Sequence, residues 1–495
     1  MINNRIEQTS VLGFIIFGLF GRSLPFKSQF ESPEPNIIII FTDYHNNNQT
    51  GCYGGINATP NMDQLAKEGI RFTRYYPCTS LCSPSRYSIL TGRYPSNCKT
   101  YLDEFSSDDP VFIRWNTDIV EGEMTIAHLM KEHGYVTGLT GKWHNLDWST
   151  KNKTLRHLPD LDDPESPVIK QVIENNYKQI KEQIKKTSGF DSVEAVYGTN
   201  FNWLPITEKL MYHNQHWITY NSLKFIEQNK DRPFFHYMAI TLPHGLYPLK
   251  SLRADPRATP VCFLTEHMDC QPSYGNILER AGEAGIKNDA GLSEWATMAS
   301  LDDGVGAIVQ KLDELRLREN TLIILASDND SPGKIPCNHR PIPFIANWKK
   351  QIEGGQVCDE LVSNVDVLPI VLDACGIVNE NAKIDGQSLR PLFHGSTVNW
   401  RKSLYLEVTY TRGVVTNDYK YVAIRFFEEN SGTGQRFDPE RIYTGRRSYK
   451  IRNPVRYNSD KRYPGYFDAD QLYDLNTDSL EQNNLAQNSD FEKPL

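Results

Sequence analysis

Near its termini the sequence lacks a hydrophobic run long enough to span a bilayer as a helix. The longest such run, residues 11–20, has ten residues and follows Arg5, whereas a membrane-spanning helix needs about 20. A basic residue before a short apolar run is typical of a signal peptide. We therefore expect residues 1–24 to be the signal peptide of a secreted or periplasmic protein, lysosomal or extracellular in a eukaryote, with no stable membrane insertion. A disordered or core-docked N-terminal segment is the alternative, because Gly21-Arg22-Ser23 is a poor cleavage site.

The sequence also lacks an excess of positive charge. Its 53 lysines and arginines are outnumbered by 61 aspartates and glutamates, which gives a formal net charge of −8. Nucleic-acid binding generally needs a basic surface that releases counterions from phosphates, so we expect no nucleic-acid partner. The segment 436–462 is an exception, with nine basic and three acidic residues. Tyr443, Tyr449 and Tyr457 alternate with its basic residues, which suits either a sulfated sugar or a solvated loop.

Cysteines are few, and their number is odd. The 495 residues include nine cysteines, so at least one must stay unpaired in an oxidising compartment, and Cys82 is our candidate. None of the spacings is that of a zinc ribbon. Cys262 and Cys270 are close enough in the chain to form a disulfide, although two buried free thiols are an equal alternative.

Four strand-like runs end in polar residues. The first, Asn36 to Thr42, is a continuous apolar run that leads into Asp43. Uninterrupted apolar strands are typical of a parallel sheet that is buried on both faces. Because ligand sites of open α/β sheets lie beyond the carboxyl ends of parallel strands, we expect the polar residues at these ends to converge. The three later runs are 135–140, 234–241 and 321–327, and they lead into His144, His244 and Asp328.

Helical segments alternate with these strands. Thr59 and Pro60 can begin a helix that extends to Ile70, and Thr125 can cap a second helix through Glu132. A third helical pattern covers 292–315 and precedes the last strand. This alternation predicts an α/β fold with a mixed, mostly parallel sheet flanked by helices.

The length allows two to three domains or one large α/β unit. We predict a main domain at 33–400. Within it, the segment 147–208 is lysine-rich and helical without a strand signal, so we interpret it as a surface insertion. After about residue 400, alternating runs such as 419–425 predict a smaller antiparallel α+β subdomain at 401–495, which ends in the loop-like segment 472–485.

One segment carries a recognisable chemical motif. It reads Cys82-Ser83-Pro84-Ser85-Arg86 and is followed, after three residues, by Leu90-Thr91-Gly92-Arg93. Pro84 suits the first turn of a helix, where the backbone N–H groups and the helix dipole favour an anionic nucleophile. The segment closely resembles the signature of formylglycine-dependent sulfatases of the alkaline phosphatase superfamily. The resemblance extends along most of the chain, through Gly141-Lys142-Trp143-His144, Ser327-Asp328-Asn329 and Leu472-Tyr473-Asp474-Leu475.

This resemblance implies an alkaline-phosphatase-like fold at 33–400 and a sulfatase active site. Cys82 would be oxidised to formylglycine by a formylglycine-generating enzyme during maturation. The family also implies one divalent cation, usually Ca²⁺, which prefers carboxylate and amide oxygens. The ligands that match are Asp43, the residue derived from Cys82, Asp328 and Asn329.

The chain departs from the family at Tyr44. Family members usually follow the aspartate of the first strand with a second acid, or in some branches with glutamine, whereas Tyr44 stands here. The sequence leaves open whether His45 or Asn46 substitutes for the missing ligand or whether the site binds calcium more weakly.

Several basic residues match the catalytic groups of the family. Arg86 matches the cation that, with the metal, orients the hydrated aldehyde, and Lys142 matches the first lysine that holds the sulfate. His144 matches the base that releases sulfate from the formylglycine, and His244 matches the acid that protonates the leaving alcohol. The loop after Asn329 is shorter than in the family. Lys334 is the candidate for the second lysine, and Arg340 is the alternative.

The substrate implied is a sulfated polysaccharide or oligosaccharide. Two other functions remain as alternatives. One is a phosphate or phosphonate esterase of the same superfamily, although relatives of that kind tend to carry histidine at the position of Asn329. The other is a catalytically silent protein that binds sulfated glycans, which Tyr44 and the short loop suggest. Binding alone would not require the five residues Cys82, Arg86, Lys142, His144 and His244 together.

Overall fold

The computed structural model describes residues 34–56, 58–105, 111–146, 163–200, 207–244, 248–330, 340–379, 383–424, 464–465 and 468–488. The expected signal peptide, Lys334 and the basic segment 436–462 lie outside these residues.

A mostly parallel sheet of eight strands carries the elements around the candidate site. Its strands are β1 (Asn36–Thr42), β2 (Ile70–Phe72), β3 (Val136–Lys142), β4 (Ser192–Tyr197), β5 (Phe234–Ala239), β6 (Thr321–Ser327), β7 (Phe344–Asn347) and β8 (Gln356–Cys358). They lie in the order β4-β3-β5-β1-β6-β7-β2-β8, and β7 runs antiparallel to both of its neighbours. This arrangement confirms the predicted mixed, mostly parallel α/β sheet.

Eleven helices accompany the sheet in the described part of the chain. They are α1 (Pro60–Lys67), α2 (Cys82–Thr91), α3 (Lys99–Leu102), α4 (Ile126–Glu132), α5 (Pro167–Ser188), α6 (Gln215–Gln228), α7 (Pro248–Arg253), α8 (Tyr274–Glu283), α9 (Asp289–Glu314), α10 (Val367–Ala374) and α11 (Arg390–Phe393). The predicted cap of α4 is confirmed, because the Thr125 side chain accepts a hydrogen bond from the His128 N–H. Among these helices, none combines the length and the apolar character needed to cross a bilayer.

The central strand β1 is buried because both faces of the sheet are covered. Every residue from Ile37 to Phe41 is fully buried, as the uninterrupted apolar run predicts. β1 pairs in parallel with β5 on one side and β6 on the other. Thr42 pairs with Ser327 at the carboxyl ends of β1 and β6, so the residues that follow, Asp43 and Asp328, emerge side by side.

The end of β3 depends on a glycine. Gly141 has a positive φ of 89°, and a side chain there would lie 1.8 Å from the Ala239 carbonyl oxygen of β5. The register between β3 and β4 shifts at the same point, between Thr140 and Gly141. Such bulges turn the residues that follow, and here the residue that follows is Lys142.

The predicted surface insertion contains a strand, which corrects our interpretation of 147–208. Within it, α5 leads into β4, and β4 pairs in parallel with β3 at the edge of the sheet. The segment is therefore another helix-to-strand unit of the main sheet. The strand was missed because Ser192-Val-Glu-Ala-Val-Tyr197 is short and carries a charged residue, as edge strands often do.

A second, antiparallel sheet lies toward the C-terminus. Its strands are β9 (Ser403–Val408), β10 (Thr411–Thr416), β11 (Tyr419–Ile424) and β12 (Asp470–Asp474), in the order β12-β11-β10-β9. This confirms the predicted antiparallel character of that region. The segment 472–485 is not loop throughout, since its first residues complete β12.

The second sheet has its own hydrophobic cluster, which reaches the chain before α2. Leu404, Leu406 and Val408 of β9 cluster with Tyr76 and Leu81, and all five are buried. The Glu407 N–H also donates to the Cys78 carbonyl at 2.8 Å. The small sheet thus supports the segment that leads directly into Cys82.

Candidate active site

Charged residues converge at the carboxyl ends of the central strands. Asp43 follows β1, Lys142 ends β3 and Asp328 follows β6. The Lys142 ammonium lies 2.5 Å from Asp43 Oδ2, and the Arg86 guanidinium lies 2.9 Å from Asp328 Oδ2. All four side chains are almost fully buried. The expected convergence at these strand ends is therefore confirmed for Asp43 and Asp328, and Lys142 joins them.

Cys82 is the first residue of α2 and lies among these groups. Its Sγ is 3.6 Å from Asp43 Oδ1 and 3.3 Å from the Asn329 amide nitrogen. The helix start is held in place by Asn145, whose amide donates to the carbonyls of Ser83 and Thr117 at 2.8 and 2.9 Å. A side chain at this position faces the free N–H groups of the first turn, which favour a negative charge.

Arg86 lies one turn further along α2 and is fully buried. It contacts Asp328 as described and also Asp43 Oδ2 at 3.5 Å, and it donates to the Lys142 carbonyl at 3.2 Å. Its guanidinium lies over the Phe41 ring, 5.4 Å from the ring centre. A buried cation is tolerated only when opposite charges and hydrogen bonds compensate for lost hydration, so Arg86 and the two aspartates depend on one another.

The two aspartates have different proton affinities. Burial opposes ionisation of Asp43, but the charges of Lys142, His244 and Arg86 outweigh it and hold its pKa well below the usual value. For Asp328, burial and the neighbouring charge of Asp43 raise the pKa to about 6. The site thus has one firmly ionised carboxylate beside one that is more easily protonated.

His144 follows β3 in a left-handed backbone conformation, with φ of 62°. Its backbone N–H donates to the Gly198 carbonyl at 3.0 Å, while its buried Nδ1 has no hydrogen-bond partner among the described residues. Burial and the nearby charges of Lys142 and Arg86 hold the pKa of His144 well below its usual value. The ring is therefore neutral near pH 7 and can accept a proton.

His244 approaches the site from beyond β5. A nitrogen of its ring, a carboxylate oxygen of Asp43 and the sulfur of Cys82 all lie within 4.8 Å of one another. The Tyr44 ring packs edge-on against His244, with 5.8 Å between ring centres. Unlike Asp43 and Cys82, His244 is only partly buried, which places it on the accessible side of the site.

The hydrogen bonds of His45 count against this residue as the replacement for the missing acid. Its Nδ1 lies 3.2 Å from the Thr42 hydroxyl and its Nε2 lies 2.6 Å from the Thr50 hydroxyl. Burial lowers its pKa to about 3, so the ring is neutral. Both ring nitrogens are used inside the fold. The Tyr44 backbone N–H donates to Asp328 Oδ1 at 3.0 Å and so helps to position that carboxylate.

A narrow cavity opens over Asp43, Lys142 and His244. Its four other lining residues were not among the sequence candidates, namely Thr199, Asn200, His213 and Thr241. Thr241 ends the predicted strand 234–241 and could have been found by the rule that located Asp43. His213 has no such signal, because it precedes α6 and reaches the site only through the fold.

Of the two candidates for the second sulfate-binding cation, Lys334 lies outside the described residues. Arg340 is described, and its charge acts on Asp330, two residues beyond Asp328. Its Nε is buried without a hydrogen-bond partner among the described residues. The assignment of the second cation stays a prediction.

Comparisons with known proteins identify the family. The family model described as Sulfatase matches residues 35–377, and the model described as N-sulphoglucosamine sulphohydrolase, C-terminal, matches residues 338–441. Human arylsulfatase A is 28% identical over 447 residues, covering 82% of this chain and 77% of the relative. The N-acetylglucosamine-6-O-sulfatase of Bacteroides thetaiotaomicron is 25% identical over 521 residues, covering 94% of this chain and 84% of the relative.

The fold itself matches solved structures. One, in complex with its substrate D-glucosamine-2-N,6-O-disulfate, has a TM-score of 0.56 at 20% identity and covers 93% of this chain and 95% of that chain. At this identity the likeness supports the shared architecture alone.

Proposed function

Because the chain belongs to the sulfatase family, a group of sulfuric ester hydrolases in the alkaline phosphatase superfamily, we propose that it removes sulfate from a sulfated polysaccharide or oligosaccharide. The nucleophile in this proposal is formylglycine made from Cys82. The observation that carries it is the position of Cys82 at the start of α2, with Asp43, Asn329 and Arg86 around it.

The hydrate of a formylglycine supplies one hydroxyl that attacks sulfur and a second hydroxyl whose proton is later removed to release sulfate. A hydroxyl at the position of the Cys82 sulfur is close to Asp43 and to the amide of Asn329. The first turn of α2 adds backbone N–H groups that favour the developing negative charge. These residues orient the nucleophile and exclude bulk water, since all are buried.

The residues present fit a hard divalent cation. Asp43 and Asp328 offer carboxylate oxygens, and Asn329 Oδ1 is buried without a hydrogen-bond partner among the described residues. The amide nitrogen of the same side chain donates to Asp328 Oδ1 at 2.6 Å, and a buried unpartnered amide oxygen beside a carboxylate is typical of a position that accepts a cation. Asp43, Asp328, Asn329 and the residue derived from Cys82 would hold the ion, for which we propose Ca²⁺. When bound, it supplies positive charge beside the sulfate oxygens.

Lys142 and Arg86 supply further positive charge for the sulfate. Both are buried, and both are anchored by carboxylates, Lys142 by Asp43 and Arg86 by Asp328. Anchored cations in a water-excluded site stabilise a transition state without needing to reorganise. We assign them to the sulfate oxygens, and Lys334 to the same function by its place in the sequence.

Two histidines have environments that suit opposite proton transfers. His144 is neutral and buried, with an unpartnered Nδ1, so it is suited to remove the proton whose loss releases sulfate. His244 is partly buried and lies on the accessible side beside Asp43. That position suits the acid that protonates the departing sugar alcohol.

Two observations favour a sulfated sugar as the substrate. A relative covering 94% of this chain is named for N-acetylglucosamine sulfate ester cleavage. The basic segment 436–462, rich in tyrosine, is also suited to bind anionic sugars. Secretion would place the enzyme where such polymers occur.

A substrate panel tests this function. Full-length protein matured with a formylglycine-generating enzyme is given sulfated oligosaccharides, an aryl sulfate and a phosphate monoester, each with Ca²⁺ or with a chelator. We expect Ca²⁺-dependent sulfate release, with the highest kcat/KM on an oligosaccharide. Release of phosphate alone supports the phosphoesterase alternative, and binding without turnover supports the silent glycan-binding protein.

A further inference from the structure

Three chemically different ligands meet at the strand ends: the Asp43 carboxylate, the Cys82 sulfur and the His244 imidazole. We propose that the protein whose Cys82 is still a thiol binds a thiophilic divalent ion, Zn²⁺ or its analogue Co²⁺, through these three side chains. The maturing enzyme, with a two-electron oxidant that it supplies, then replaces the C–S bond of Cys82 by the C=O bond of formylglycine. The sulfur leaves as sulfide, and a site for a hard cation is left. The oxidation state of one residue thereby selects the class of metal.

The distances suit a common ion. Two ligands of a tetrahedral zinc site, at about 2.0 Å for oxygen and about 2.3 Å for sulfur, lie about 3.5 Å apart. The Asp43 Oδ1 to Cys82 Sγ distance is 3.6 Å. A His244 ring nitrogen lies within 4.8 Å of that sulfur and of a carboxylate oxygen of Asp43, so the three side chains can approach one ion. A fourth, open position is typical of zinc bound by three protein ligands.

The two carboxylate oxygens of Asp43 have different neighbours, so one of them, Oδ1, can bind an ion. Oδ2 faces Lys142 and Arg86, at 2.5 and 3.5 Å, while Oδ1 faces the sulfur of Cys82. Asp43 therefore does not have to give up its ion pairs to bind through Oδ1. The Asn329 amide also donates toward the sulfur at 3.3 Å.

The donor set determines which ion is preferred. Sulfur and imidazole suit zinc, cobalt and related ions, whereas Ca²⁺ is bound by oxygen ligands almost exclusively. Binding through Cys82 forms a metal–sulfur bond, and the thiol proton is released to solvent. Because His244 is only partly buried and lines the cavity over Asp43, an ion can reach the site from solvent.

The proposal concerns the unmatured chain and does not depend on sulfatase activity. A preparation made without the maturing enzyme should contain bound zinc, and matured protein should not. Mixed preparations should then contain two populations with different metal requirements.

Cobalt spectroscopy tests the site directly. Full-length protein made without the maturing enzyme is freed of metal and titrated with Co²⁺, and Zn²⁺ affinity is measured by competition with a chromophoric chelator. We expect one equivalent to bind with a sulfur-to-cobalt charge-transfer band in the near ultraviolet. Cys82→Ala should abolish the band and weaken Zn²⁺ binding by about 100-fold or more, since even second-sphere partners of metal ligands contribute about 10–100-fold.

Two further variants keep the test decisive. Cys262→Ser removes a half-buried thiol outside the site and should leave the charge-transfer band and the Zn²⁺ affinity unchanged. His244→Gln should shift the visible cobalt bands and weaken binding, and circular dichroism verifies that each variant is folded. Stoichiometric binding without a charge-transfer band, or equal Zn²⁺ affinity in Cys82→Ala, overturns the proposal. Loss of sulfatase activity in matured protein would leave this result unaffected.

Discussion

The Lys142 ammonium lies 2.5 Å from Asp43 Oδ2, and both side chains are about 1% exposed. This pair joins the ends of β3 and β1 across the site, with Arg86 3.5 Å from the same oxygen. Such a pair is costly to break on one side only, because the remaining charge stays buried without compensation.

Lys142→Ala should therefore destabilise the metal-free protein. We expect the free energy of unfolding to fall by about 3–5 kcal/mol, measured by urea denaturation with a chelator present. Lys209→Ala is the matched control, because Lys209 pairs with Asp163 at the surface, where both side chains are 61% exposed. That pair should contribute about 0–1 kcal/mol. Equal effects of the two substitutions would contradict the dependence of Asp43 on Lys142.

Arg86→Ala should slow catalysis more than it weakens substrate binding. Removing one buried donor to a developing negative charge typically lowers kcat by about 100–1,000-fold. Steady-state kinetics of matured protein measure this, with Arg257→Ala as control, since Arg257 pairs with Asp255 at the surface. An increase in KM with unchanged kcat would show that Arg86 binds the ground state and the transition state equally, and would contradict this prediction.

Ca²⁺ should stabilise the matured protein through Asn329. A ligand that binds only the folded state adds about 2.7 kcal/mol at 100 times its Kd, so the Tm should rise with Ca²⁺ concentration. Asn329→Ala should reduce this rise, because it removes a buried amide oxygen. Asn175→Ala, at an exposed position of α5, should not. A rise that is identical in both variants would place the Ca²⁺ elsewhere.

The small sheet should influence the active site through Leu81. This residue is fully buried in the cluster with β9 and precedes Cys82. Leu81→Ala should cost about 2–5 kcal/mol of stability and also lower kcat, because the start of α2 loses support. Leu480→Ala, at a side chain that is 51% exposed, should change neither. A stability loss with unchanged kcat would mean that the cluster has no effect on the nucleophile.

Asp302, which lies outside the active site, should make the stability of the protein depend on pH. It is buried and accepts hydrogen bonds from the backbone N–H groups of Asn61 and Met62 at the start of α1. Burial raises its pKa to about 7. The folded state therefore keeps a proton that the unfolded state loses near pH 4, and the stability gained from Asp302 falls as the pH rises from about 4 to 7.

Unfolding of wild-type protein and Asp302→Asn at pH 5 and pH 8 measures this effect. The wild type should lose stability relative to the variant at the higher pH. Asp313→Asn, at an exposed position of α9, should show no such change. A difference that is the same at both pH values would mean that Asp302 does not titrate in this range.

Much of this architecture was predictable because its signals are local. The apolar run of β1 and the Thr125 cap both specify structure within a few residues, and the structure confirms them. The convergence of Asp43 and Asp328 followed from a general property of parallel sheets. The family motif identified Cys82 and Arg86 without any knowledge of their distances.

What the sequence did not reveal depends on contacts between distant segments. β4 is a strand because β3 offers an edge to pair with, and its own pattern is weak. The sequence left His45 open as a metal ligand, but the hydroxyl of Thr50, five residues away, lies 2.6 Å from its Nε2. His213 enters the cavity only because α6 packs beside the sheet. Contacts that form only when the chain has folded cannot be predicted from the spacing of residues in the sequence.

The central claim is that Cys82 becomes the nucleophile, and the mass of the peptide that contains it tests this most directly. Protein made with an active formylglycine-generating enzyme is digested, its peptide mass is determined, and sulfate release is measured for the same sample beside Cys82→Ala and Cys262→Ser. We predict formylglycine at position 82, sulfate release by wild type and Cys262→Ser, and none by Cys82→Ala. A thiol at Cys82 in a preparation that releases sulfate, or undiminished release by Cys82→Ala, would contradict the account.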